Sequence, residues 1–175
     1  MKTCLLLLIV WVYTVPAAAQ SSSSPVADAL RSLAQRNGRD LVAAAEEMPG
    51  GKYGYKPTPA QMSFGDVIAH LGAGNDYLCS TISGVTAPKR SELKGDAPKA
   101  RLVSQLKESF QFCQSALGKV DDSKLDEQLP FFGERKLSRA AVMMATAQDW
   151  ADHYSQLANY LRLNRLLPPT AKRKE

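Results

Sequence analysis

Four stretches of the chain place apolar residues three and four apart, the period of a helix with one buried face. The first begins at Pro25, and its stripe is Val26, Leu30, Leu33, Leu41, Ala45 and Met48. Pro25 suits a first helical turn, where the missing N–H costs nothing. Gly38 weakens this helix locally, and "PGG" (Pro49 to Gly51) ends it. The second stretch opens on Ser63, an N-cap, with Asp66 placed to favour the positive end of the helix. Phe64, Val67, Ile68 and Leu71 form its stripe, and it reaches Ile82. The third carries Leu102, Leu106, Phe110, Cys113, Leu117 and Val120 on one face. The fourth follows the cap Ser138 and repeats Met143, Ala147, Trp150, Tyr154, Leu157 and Leu161. It extends to about Arg165, where "LLPP" (Leu166 to Pro169) stops it, because proline cannot continue the hydrogen-bond ladder.

Polar connections separate the four. "KYGYKPTPAQ" (Lys52 to Gln61) reads as a loop, "SGVTAPKRSELKGDAPKA" (Ser83 to Ala100) as a polar link, and "PFFGERKLS" (Pro130 to Ser138) as a turn. No segment alternates with a period of two over a useful length, and no internal repeat is visible. The expectation is an all-α protein, an antiparallel four-helix bundle over residues 25–169. Each apolar face needs the others, since isolated helices of this length are marginal. Gly72 and Gly74 inside the second helix point to close packing or to room for something bound.

The N-terminus changes the picture of where the protein works. Lys2 precedes an apolar run, Leu5 to Val15, and Ala17 and Ala19 stand at the positions of an A-x-A cleavage site. Residues 1–19 therefore read as a cleavable secretory signal. The alternative is an uncleaved anchor, but the run is short for a membrane span. The mature chain would hold about 156 residues, one ordinary domain. It would start with a flexible leader at 20–24 and finish in a basic tail at 170–175, and it would be periplasmic or secreted, with no membrane association after cleavage.

The formal charge is +5. Part of it lies in the terminal "KRKE", where a charge run is ordinarily solvated. No basic stripe with interleaved aromatics exists, so nucleic acid is not an expected partner. Cys79 and Cys113 survive cleavage. A pair of cysteines in an exported chain fits one disulfide; two buried free thiols are the other reading, and the distance between the Cα atoms decides.

The chain has only two histidines, His70 and His153. Asp149 precedes His153 by one helical turn, so both side chains point the same way. His70 adjoins the apolar stripe of the second helix. Bundles build metal sites from side chains on facing helices. Two imidazoles and a carboxylate suit a divalent ion such as zinc, nickel, iron or manganese, with a coordination position left for water or substrate. By spacing alone, Asp149 and His153 read equally as a surface ion pair, and His70 as a boundary residue.

"FGDVIAHLGAGNDYLC" (Phe64 to Cys79) together with "DHYSQLANYLRLNRLLPP" (Asp152 to Pro169) resembles the DinB-like four-helix bundle superfamily. "PFFGERKLSR" resembles the family's connection into its last helix. The resemblance covers most of the mature chain. It implies a metal triad of one His in the second helix and an H-x-x-x-H pair in the last. His70 and His153 match two of these, and Asp149 takes the middle place, giving D-x-x-x-H. An aspartate adds charge and turns preference away from soft metals.

Two kinds of function follow. The first is a metal-dependent transferase or hydrolase acting on a small molecule, as the family's likeness to thiol-dependent transferases and isomerases implies; no general base is evident in the sequence. The second is a bundle that binds metal or ligand, or forms a homodimer, without turnover. Asn75 and Tyr77 read as a polar helix edge rather than a pocket lining, Trp150 as core, and Arg162 as a partner for an acidic residue on a neighbouring helix.

Overall fold

The computed structural model describes residues 24–172. The expected signal segment, most of the expected leader and the last three residues of the tail lie outside the described residues. Four long helices form the body: α1 (Pro25–Glu47), α2 (Phe64–Ser83), α3 (Lys99–Leu117) and α4 (Arg139–Leu163). A short hairpin, β1 (Gln128–Phe131) and β2 (Arg135–Ser138), precedes α4, and a single turn, α5 (Pro169–Lys172), follows it. Helices α1 and α2 each pack against both α3 and α4. No described helix is long and apolar enough to cross a membrane.

The ends of the helices are held by side chains from other parts of the chain. Ser24 makes no side-chain cap on α1. The Asp122 carboxylate instead accepts from the amides of Val26 and Ala27, both at 2.9 Å. Two of the helix's orphan donors are thus satisfied by a residue beyond α3. Arg31 returns the favour, donating to the carbonyls of Leu117 and Val120 at the end of α3. Lys99 Nζ donates to the carbonyls of Glu46 and Met48 at the end of α1. Helix α2 opens on the expected capping box between Ser63 and Asp66 and closes on Gly84 in the left-handed conformation (φ 72°).

The core is Leu30, Leu41, Phe64, Ile68, Leu71, Leu106, Phe110, Trp150, Leu157, Tyr160 and Leu161 with their neighbours. Val26 departs from expectation: it is exposed, and Ala27 turns inward, in the turn whose amides Asp122 holds. Helix α3 stops at Leu117, before Val120, although Val120 is still buried. The hairpin was not expected. Its register pairs Gln128 with Ser138 and Phe131 with Arg135, and four-residue strands are too short to declare a period of two. Leu129 and Phe131 face the core from it.

Cys79 on α2 and Cys113 on α3 form a disulfide, with Cα atoms 5.2 Å apart. Beside it, Asn75 is buried rather than at a helix edge. Its side chain donates to Ser109 Oγ (2.9 Å) and accepts from Trp150 Nε1 (2.7 Å), joining α2, α3 and α4. Fully paired, it carries no desolvation penalty and fixes the relative register of three helices. Part of the tail is also anchored. Tyr154 Oη accepts from the Thr170 amide at 3.0 Å, and Lys172 pairs with Glu47 at 2.5 Å.

Candidate metal centre

The packing of α2 against α4 brings His70 beside Asp149 and His153. The capping box fixes the start of α2, and Ile68 and Leu71 bury the stripe next to His70. On α4, buried Trp150 and Leu157 fix the rotation that leaves Asp149 and His153 at the edge of the core. One ligand atom from each of the three lies within 4.8 Å of the others. The Asp149 carboxylate is 3.9 Å from His70 Nε2 and 3.4 Å from His153 Nδ1. The imidazole rings stack, with centroids 4.9 Å apart and planes 27° apart.

The group is graded in exposure. His70 is 49% exposed at the side chain, Asp149 26% and His153 16%. His153 Nδ1 lies 2.8 Å from the backbone carbonyl of Asp149. A carbonyl only accepts, so Nδ1 carries the hydrogen and Nε2 keeps the lone pair. Metal-binding histidines are commonly oriented by such a bond at the other nitrogen. The pKa of His70 is raised above 6.5 by the Asp149 carboxylate that faces its Nε2, against the opposing effect of burial.

The donor set fits a divalent ion. A tetrahedral ion with bonds of about 2.0–2.2 Å holds its donors about 3.3–3.6 Å apart. One atom of each residue lies within 4.8 Å of the others, a limit wider than that by on the order of an ångström. With His153 Nδ1 held by the carbonyl, an ion would take Nε2, and His70, the most exposed of the three, is the side chain freest to close the site. Two neutral imidazoles and a carboxylate suit zinc, nickel, iron or manganese.

A hollow of about 420 Å³ opens directly beside the triad. His70 and Asp149 line one part of it; Tyr77, Leu78, Phe131 and Phe132 line another. Tyr77 thus borders a pocket, contrary to the sequence reading. Phe131 and Phe132 were missed as lining, because nothing local in "PFFGERKLSR" says which helix the hairpin tip will meet. The two glycines divide the roles expected of them. A Cβ on Gly72 would touch Gln105 at 3.5 Å, an ordinary packing distance, whereas one on Gly74 would meet nothing within 4 Å. Gly74 lines the hollow.

The remaining polar and aromatic residues of the last helix lie apart from the triad's hollow. Trp150 is buried core. Gln156 donates to Tyr160 Oη, which donates to the Met62 carbonyl and so ties α4 to the loop before α2. Arg162 is exposed and borders a separate open depression with Asp152 and Gln61; the expected ion pair with a neighbouring helix does not form among the described residues.

Residues 33–157 match the family model described as the DinB superfamily. Two solved structures share the fold. A DinB-like protein from Bacillus subtilis superposes with a TM-score of 0.65 at 19% identity, covering 83% of this chain and 99% of that one. A DinB-like protein from Bacillus cereus ATCC 10987 gives 0.69 at 13% identity, covering 81% and 95%. No curated protein matches the sequence.

Proposed function

This chain belongs to the DinB superfamily, and we propose that it is an exported metal-binding member in which His70, Asp149 and His153 hold one divalent ion. The observation that carries the reading is the convergence of these three side chains, from two helices, with His70 and Asp149 lining a hollow beside them. Bound there, the ion would act as a Lewis acid toward a small molecule entering the hollow. The chain's own residues orient and tune. His153 is fixed by its bond to the Asp149 carbonyl. Asp149 supplies the negative charge, and exposed His70 closes the site from α2.

The reaction such a site supports is transfer or hydrolysis. Among the described residues, Tyr77 is the only ionisable group outside the triad that lines the hollow. This favours, as a second reading, a bundle that holds metal and ligand without turnover. Export is supported by the signal-like N-terminus and by a disulfide that fits an oxidising compartment.

The test is elemental mass spectrometry on tag-free mature protein after exposure to a panel of divalent metals, beside His153→Ala. Near-stoichiometric metal in the native protein, lost in the variant, is expected. Equal metal in both, or none in either, would refute the reading and leave Asp149 and His153 as a helix-surface pair.

A further inference from the structure

The wall of the hollow formed by the hairpin has its own character. Phe132 stands at the hairpin tip with φ 31°, in a region that bulky residues seldom adopt, and is 51% exposed. Two contacts hold it there. Its amide donates to Tyr77 Oη at 2.9 Å, and its ring lies 4.7 Å from that of Tyr77, tilted by 33°. Phe131 packs edge-on against Phe132 at 4.7 Å, and the Arg135 guanidinium sits 5.2 Å from the Phe131 ring. A strained, exposed aromatic maintained by specific partners is the kind of feature that clusters at ligand sites.

We propose that this aromatic wall selects the ligand: the hollow takes a small monoanion whose head meets the ion and whose planar aromatic body seats against Tyr77 and Phe132. The head rests on the metal reading above; the body rests on the hollow alone. A divalent ion held by one carboxylate and two neutral imidazoles keeps a single net positive charge, which one anionic donor neutralises. Tyr77 follows His70 by seven residues on α2, about 10 Å along the axis. That is the span of a phenyl ring on a short arm. Between them the lining is Ala73, Gly74 and Ala145, small and uncharged, so the body that fits is uncharged and flat. Aromatic rings prefer offset or edge-to-face neighbours, and the tilted Tyr77–Phe132 pair offers both.

The test separates body from head. Metal-free, tag-free protein is titrated with 3-phenylpropanamide and with propanamide, following the methyl resonances of Ala73 and Ala145. Saturable shifts with the phenyl compound are expected, at least about ten-fold tighter than with the alkyl one. Phe132→Ala should remove most of that preference, and Phe132→Trp should keep it. Tyr77→Phe, which removes the hydroxyl that grips the Phe132 amide, should weaken it. The spectra themselves report whether each variant is folded. Equal response to the two amides, or a phenyl preference unchanged in Phe132→Ala, overturns the aromatic wall whatever the metal result. Zinc-loaded protein is then titrated with 3-phenylpropionate and 3-phenylpropanamide. Tighter binding of the acid is expected. Its absence, with the phenyl preference intact, overturns the metal-anchored head and leaves the wall standing.

Discussion

At the residue scale, Asp149 organises the site. It touches both histidines and is what raises the pKa of His70. Asp149→Asn should bring that pKa back down toward 6.5, read by NMR titration of the imidazole. In the metal-free protein, the folded-state pKa of His70 is raised, so its charged pair with Asp149 favours folding fully below about 6.5 and is lost as pH rises through the higher folded value. Metal binding runs the other way, because a ligating imidazole must be neutral. Metal affinity should therefore fall as pH drops through a range that begins above 6.5, measured by calorimetric titration at several pH values. The three candidate residues could be named from the sequence through the family resemblance, since the Asp149–His153 turn by itself reads equally as a surface ion pair, and the structure brings all three together. The tautomer of His153 was not, because it depends on the 2.8 Å contact with a backbone carbonyl. Asn75 was misread for a related reason. Its partners Ser109 and Trp150 lie 34 and 75 residues away, so its pairing shows only once the helices have packed.

At the scale of elements, helical periodicity located all four helices, since each has an apolar stripe long enough to define its phase. What it left out are the contacts between distant segments. Asp122 caps α1 from 95 residues away, and no local pattern marks it. Asp122→Ala should cost about 1 kcal/mol in urea unfolding, the usual value of a lost cap. Gly65 and Gly95 are a second such contact. A Cβ on Gly65 would stand 2.0 Å from the Gly95 carbonyl oxygen, so backbone must move. Gly65→Ala should destabilise by about 3 kcal/mol, the upper range of overpacking, whereas Gly74→Ala, with nothing within 4 Å, should fold normally. The hairpin escaped notice because its strands are short, although burial does alternate along β1.

At the scale of the molecule, the bundle gives the site a rigid frame. The Cys79–Cys113 bridge spans 34 residues between α2 and α3, away from the triad. Closing a loop of that length contributes about 3–4 kcal/mol in the chain-entropy account. Replacing both cysteines by alanine should lower the urea midpoint accordingly while metal content stays unchanged, because neither sulfur belongs to the triad. The family could be read from sequence because its motifs fall on two helix faces; the hollow could not, because hairpin, α2 and α4 each contribute lining from a different part of the chain.

The most direct measurement uses the scarcity of histidine. With two imidazoles in the whole chain, long-range proton–nitrogen NMR assigns each without ambiguity. During titration of tag-free protein with zinc, both rings should shift together and saturate at stoichiometric metal, with His153 still protonated at Nδ1 and the change centred on Nε2. Movement of one ring alone, of neither, or without saturation would contradict a site built from His70, Asp149 and His153.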